Sequence, residues 1–299
     1  MPELPEVEVV RLGLAPAVTD AIVTAVDVYD ERAITRHDHR RGSFADRLTG
    51  RSMLAPQRRG KFIWIPLEPA GRLAAGEGRP DALLAHLGMT GQLLLRDAWA
   101  RPEDEPHVRV RIELRHPSHA ELAVFFRDQR TFGSLALDEL VSTDAGDAVP
   151  SQVLHIARDP IDPLFDDRAF LASLMRKNSA IKRVLLDQRA ISGVGNIYAD
   201  EALWAARIHP EQPASSLSRA KTRLLLDEIR LVLGKALTEG GTSFDAQYVN
   251  VNGQAGYFAH SLNAYGREGR PCPRCGTPIV RVSFMNRSSH YCPRDQRLR

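Results

Sequence analysis

Met1-Pro2-Glu3-Leu4-Pro5-Glu6-Val7 opens the chain. Leu4, Val7, Val10 and Leu14 recur at helical spacing, so a helix begins inside this stretch. Proline is tolerated in a first helical turn, and acidic side chains favour the positive helix end. The run is therefore, at the least, a good helix start. It also has the makings of a reactive site. A small second residue lets the initiator methionine be removed, leaving Pro2 as a free secondary amine. Such an amine attacks an electrophilic sugar carbon and forms an iminium, as lysine amines do in Schiff-base enzymes. An unperturbed α-amino group titrates at about 7.7–8.0, so a useful fraction is neutral near pH 7. The helix end lowers that value and Glu3 and Glu6 raise it. Glu3, beside the amine, is placed as a general acid or base.

Beyond the first helix come short β-like runs at 21–29, 61–67, 82–87, 92–95, 108–114 and 121–126. Turn-rich stretches such as 69–80 and 102–106 separate them. Many short strands with Gly/Pro loops predict a β-sandwich. Residues 143–152 are small, polar and proline-containing, which suits a linker. Helical periodicity follows at 167–176, 179–188, 196–207 and 216–238, and Gly240-Gly241 should end the last helix. After Tyr248 the pattern turns β-like again. The fold class is thus α+β and multidomain, which fits 299 residues.

Hydrophobic content of 43% with 26% charged residues describes an ordinary soluble globular chain. No apolar run is long enough to cross a bilayer, and the acidic, proline-bearing start is neither a secretory nor a transit signal. A cytoplasmic protein is expected. Net charge is only +3, but residues 267–299 hold eight arginines against Glu268 and Asp295. A basic tail on a mildly acidic body suits a polyanion held at one end, or equally a solvated, frayed terminus. All three cysteines lie in the pattern Cys272-x2-Cys275-x16-Cys292-x2-Asp295. Their clustering in a cytosolic chain favours metal over disulfides. Aspartate can ligate zinc, though it is a harder donor than thiolate and should lower affinity. His290 is an alternative fourth ligand.

The opening 2–7 resembles that of the formamidopyrimidine-DNA glycosylases, and the likeness continues in order along nearly the whole chain. Arg59-Gly60-Lys61 resembles the family's catalytic lysine turn. His86-Leu87-Gly88-Met89-Thr90-Gly91 resembles its intercalation loop, and Asp128-Gln129-Arg130-Thr131-Phe132-Gly133 its second wedge. Gly193-Val194-Gly195-Asn196-Ile197-Tyr198-Ala199-Asp200-Glu201 resembles its helix–two-turn–helix signature. Gly240-Gly241-Thr242-Ser243 and Gly256-Tyr257-Phe258 resemble its lesion-binding region. The fourth metal position departs from the family, where cysteine is expected.

The resemblance implies an N-terminal catalytic β-sandwich flanked by helices over 1–145 and a linker over 146–158. A helical domain with the helix–two-turn–helix and lesion-binding loop would span 159–255, and a β-hairpin zinc finger 256–299. It implies a bifunctional glycosylase and abasic-site lyase of base excision repair. Oxidised purines, namely 8-oxoguanine and formamidopyrimidines, would be removed through a Schiff base on Pro2, followed by β,δ-elimination. The catalytic set would be Pro2, Glu3, Lys61 and Arg287, the last carried on the finger hairpin. The DNA contacts would be His86, Met89, Arg130, Phe132 and Asn196, and one structural zinc would sit on Cys272, Cys275, Cys292 and Asp295. The partner would be double-stranded DNA bearing oxidised bases, met by a monomer without a membrane.

The chemistry suits these roles. A base flipped from the duplex costs a few kcal/mol of stacking and leaves a hole. Methionine adapts to an irregular gap, phenylalanine wedges between bases, and arginine pairs with the orphaned base. Glycines before Asn196 permit a tight turn whose amides and helix end would attract a phosphate. Plainer readings stand beside each: Met89 and Phe132 as core, Lys61 as a solvated strand-edge residue, Asn196 as a helix cap, His86 as a structural histidine. Two other functions compete. One is the endonuclease VIII branch, specific for oxidised pyrimidines, against which Leu4, Arg130 and Phe132 argue. The other is a DNA-binding homologue that has lost its chemistry, against which intact Pro2, Glu3 and Lys61 argue.

Overall fold

The computed structural model describes residues 2–68, 80–242, 250–254 and 256–298. Met1, Ser243, Tyr248 and the anticipated turn stretch up to residue 79 lie outside the described residues. The chain forms two units. The first holds Pro2, Glu6–His155 and Thr242–Gly256; the second holds Glu3–Pro5, Ile156–Gly241 and Tyr257–Arg299.

The first unit is an antiparallel β-sandwich with helices α1 (Leu4–Val18, whose first two residues belong to the second unit) and α2 (Phe44–Leu48). Its strands are β1 (Ile22–Val28), β2 (Gln57–Arg59), β3 (Phe62–Pro66), β4 (Asp81–His86), β5 (Gly91–Asp97), β6 (Val108–Arg115), β7 (Leu122–Asp128), β8 (Ser134–Ser142) and β9 (Ala148–Pro150). One sheet runs β1-β6-β7-β5, the other β2-β3-β4-β8-β9. Strand β6 alternates strictly: Val108, Val110, Ile112 and Leu114 are buried while Arg109, Arg111 and Glu113 take the other face. Strands β3 and β4 are almost wholly buried; β3 and the 82–85 centre of β4 read as apolar runs instead. Val110, Ile112 and Val124 of one sheet share a core with Ile63, Leu83 and Leu135 of the other. Each such side chain contributes about 1.5–3 kcal/mol on burial.

Strand β8 is absent from the sequence reading, although it pairs with β4 over six positions, from Asp81↔Glu139 to His86↔Ser134. Leu135 and Leu137 enter the core, but Asp138 and Glu139 interrupt the apolar pattern. Asp138 is buried because it accepts from Ser151 Oγ and Gln152 N, both at 2.8 Å. The stretch read as a linker therefore carries β9 and a tied turn.

The second unit has α3 (Asp167–Leu174), α4 (Ile181–Leu186), α5 (Asn196–Ala206), α6 (Arg219–Thr238) and a hairpin of β10 (Val280–Phe284) with β11 (Arg287–Tyr291). Helices α4 and α5 flank the two turns of 187–195. Helix α4 starts later than its periodicity suggests, because Ile181 N and Lys182 N bond the carbonyls of Gln212 and Pro210. Ser218 caps α6 through Lys221 N. The helix ends at Gly240-Gly241, both in the left-handed region, with Gly241 N on Ala236 O at 2.8 Å. Leu4 belongs to this unit's core, with Ile181, Val194 and Leu203, and not to the core that holds Val7, Val10 and Leu14. Among the described residues no helix is long and apolar enough to cross a membrane.

Candidate active site and nucleic-acid interface

Pro2 is buried in the first unit and Glu3 is buried in the second. The Glu3 carboxylate accepts from Gly195 N at 2.8 Å, Ile197 N at 3.1 Å and Tyr198 N at 3.3 Å. These are the first free amides of α5, so a residue distant in sequence satisfies the helix start. Gly195 has no Cβ because one would overlap the Glu3 carboxyl. Of the amides at this turn, expected to hold a DNA phosphate, those of Gly195, Ile197 and Tyr198 donate to Glu3 instead, and Asn196 is the first helical residue behind the Gly195 cap, not the cap itself. Half-buried Asn196 is hydrogen-bonded to Tyr265, whose hydroxyl is pushed up by burial and then by the Glu3 charge.

The second unit brings Glu3, Asp200 and Arg287 around one buried lysine that the sequence reading did not single out. Lys182 has no exposed side-chain surface. Its ammonium pairs with Asp200 at 2.6 Å and donates to Ser288 O and Ser289 Oγ, both at 2.9 Å. Burial pushes Lys182 down from the usual lysine range; Asp200 and Glu3 oppose that shift and Arg287 adds to it. Arg287 is exposed at the start of β11, after the tight turn Met285-Asn286. Asp200 also accepts from His290 N at 2.9 Å, and His290 Nδ1 lies 3.2 Å away. The histidine offered as a fourth metal ligand thus faces Asp200 and Tyr265. Glu201, also unforeseen, accepts from Asn263, Ala264 and Tyr265 amides and fixes that loop.

In the first unit Lys61 is buried in the turn between β2 and β3. It is no solvated edge residue: its charge, with that of Arg36, adds to burial in lowering the His86 pKa to about 4. His86 pairs in register with Phe62, ring centroids 4.6 Å apart. Gly88 N donates to His86 Nδ1 at 3.2 Å, so the neutral ring carries its proton on Nε2. That leaves a neutral N–H donor of the kind a phosphate accepts.

Met89, Arg130 and Phe132 all project outward, Met89 37% and Phe132 55% exposed. This is not core packing. Their two loops are held as one body by Asp128, which is fully buried and accepts from Thr90 Oγ1, Arg130 N (3.1 Å) and Gly133 N (2.7 Å). Gly88, at φ +60°, lets the first loop touch the backbone of Phe132 and Gly133, where any Cβ would collide. The Arg130 guanidinium lies 4.6 Å from the Phe132 ring centroid. Water-exposed apolar and cationic groups on a rigid double loop are what a base-stack filler needs.

In the second unit Cys272, Cys275, Cys292 and Asp295 place their ligand atoms within 4.8 Å of one another. The Cys275 and Cys292 sulfurs are 3.5 Å apart; tetrahedral zinc with 2.3 Å bonds spaces thiolates about 3.8 Å apart. Asp295 Oδ2 is buried and makes no aligned hydrogen bond, with Arg274 Nε 3.0 Å away as its ion-pair partner. The donor set fits one structural zinc ion.

Three sequence models match. The formamidopyrimidine-DNA glycosylase N-terminal domain covers residues 1–135 and that family's H2TH domain 156–247. A zinc finger found in FPG and IleRS covers 269–298. The formamidopyrimidine-DNA glycosylase of Leifsonia xyli subsp. xyli is 60% identical over 307 residues, covering 100% of both chains. That of Thermobifida fusca is 52% identical over 300 residues, covering 99% of this chain and 97% of the relative. MutM (Fpg) of Thermus thermophilus aligns with TM-score 0.79 at 33% identity, covering 100% of both chains. Lactococcus lactis Fpg in complex with abasic-site DNA aligns with TM-score 0.80 at 28% identity, covering 99% of both. Domain order, double loop, finger and these likenesses agree, and the chain belongs to the formamidopyrimidine-DNA glycosylase family.

Proposed function

We infer that this chain is a bifunctional DNA glycosylase and abasic-site lyase of base excision repair, acting on double-stranded DNA that carries oxidised purines. The observation that carries the reading is the Glu3 carboxylate, fixed by three amides at the cap and first turn of α5 and joined by one peptide bond to Pro2. A buried carboxylate of set orientation next to a potential terminal amine serves proton transfer at the carbon the amine attacks. Pro2 adds to C1′ of the damaged nucleotide and expels the base. Glu3 protonates and deprotonates the opening sugar. The resulting iminium acidifies the neighbouring sugar carbon, so both flanking phosphates leave by β,δ-elimination.

The remaining assignments follow from position. Lys61 and His86 meet the lesion strand, with His86 donating from Nε2. Met89, Phe132 and Arg130 fill the vacated stack and pair with the orphaned base. Arg287, and Asn196 through its side chain, hold phosphates. Residues 1–145 act as the catalytic domain, 146–158 as a linker, 159–255 as the helical DNA-binding domain and 256–299 as the finger. Zinc on Cys272, Cys275, Cys292 and Asp295 orders the hairpin that presents Arg287. The enzyme works as a monomer in the cytoplasm. The family likeness favours neither the oxidised-pyrimidine branch nor an inactive homologue. The test is a duplex with one 8-oxoguanine: free base and a strand cut with phosphates at both ends are expected. Release of oxidised pyrimidines alone, or binding without release, would overturn the reading.

A further inference from the structure

Arg274 stands in the first zinc knuckle, between Cys272 and Cys275, and makes three kinds of contact at once. Its Nη1 and Nη2 donate to the carbonyls of Ala205 (3.2 Å) and Trp204 (2.5 Å), at the end of α5. Its guanidinium carbon lies 3.9 Å from the Trp204 ring centroid. Its Nε lies 3.0 Å from Asp295 Oδ2, an ion pair without hydrogen-bond alignment. Trp204 in turn donates from Nε1 to Cys272 Sγ at 3.4 Å.

The need for such a clamp follows from ligand chemistry. A cysteine sulfur is the second atom out from Cα and has one torsion to set. An aspartate oxygen is the third, with a further torsion and a rival oxygen on the same carbon. Aspartate at the fourth position must therefore be aimed, whereas cysteine there would need no aiming. Arg274 is itself rigid, with its guanidinium held on two carbonyls and a ring face. It also offsets the charge that three thiolates and a carboxylate leave on a divalent ion.

We propose that Arg274 is a positioning residue of a metal site with three cysteines and one aspartate, its guanidinium fixing the Asp295 carboxylate in the ligating orientation. The proposal rests on the zinc reading of the cluster. It makes the role of Arg274 conditional: needed with aspartate at 295, dispensable with cysteine there.

The test is a two-by-two set of full-length proteins: wild type, Arg274→Gln, Asp295→Cys and the double variant. Cobalt(II) serves as probe, read by its thiolate charge-transfer band, with zinc affinity from chelator competition. Wild type should show one cobalt with three thiolates, and Asp295→Cys one with four. Arg274→Gln should lower zinc affinity about 10–100-fold in the aspartate background and leave it unchanged in the Asp295→Cys background. Failure of Arg274→Gln to fold, with rescue in the double variant, would support the same conclusion. Equal loss in both backgrounds, or loss in neither, would overturn it, since an arginine that merely closes α5 does not depend on the ligand. A wild type that binds no cobalt would instead remove the metal reading beneath it.

Discussion

Glu3, proposed as the proton-transfer group, also holds the start of α5. Three N–H donors converge on its two oxygens. Glutamine offers one acceptor oxygen and turns an NH2 toward the other donors. Glu3→Gln should therefore abolish base excision and also cost about 1–3 kcal/mol of stability, the usual penalty for stranding buried donors. Excision assays and thermal unfolding of the same preparation check this; an inactive variant as stable as wild type would contradict the cap. His86 makes a prediction of a different kind. Its folded pKa of about 4 lies below the ordinary 6.5. Between those values the unfolded chain binds a proton at this site that the folded chain does not, so the His86 contribution to stability rises with pH across about 4–6.5 and is constant above. Replacement by glutamine removes that slope. The stability gap between wild type and His86→Gln should shift in the variant's favour between pH 7 and pH 5, as read by denaturant unfolding, and an unchanged gap would deny the burial effect. Glu3 and Lys61 could be singled out as candidates because each sits in a local motif. Lys182 and Arg274 could not, because their contacts lie far along the chain.

The double loop shows what an element adds to its residues. Met89, Arg130 and Phe132 could be read from sequence as candidates for one surface, but not their coupling, since Asp128 joins them only through tertiary hydrogen bonds. Met89→Ala and Phe132→Ala should impair excision from duplex DNA more than lyase action on a preformed abasic site, where less stacking is lost. Asp128→Ala, which touches neither tip, should impair both as a pair of wedge deletions does. An Asp128→Ala protein with normal excision would show that the loops need no common anchor. Among strands, the alternating β6 and the apolar β3 and β4 were readable because burial leaves its period in the sequence. Strand β8 was not, because half of it is held by a buried aspartate. Helix α5 links distant chemistry within its unit: Glu3 binds its first amides, and Arg274 binds its last carbonyls beside Asp295.

For the whole molecule, charge placement says more than net charge. The chain carries only +3, yet its last 33 residues hold eight arginines. DNA binding should therefore weaken steeply with salt. Arg287→Gln should flatten the slope of log affinity against log salt by about 0.9, one phosphate contact, while leaving sequence preference alone. A slope equal to wild type would take Arg287 off the backbone. The proposed chemistry belongs to the chain's own terminal amine. Protein lacking Met1 is incubated with duplex DNA containing 8-oxoguanine, reduced with borohydride, digested and mapped by mass spectrometry. A covalent adduct on the Pro2 nitrogen is expected, absent when Glu3→Gln is used. An adduct on a lysine such as Lys61, or strand cleavage with no trappable adduct, would contradict it.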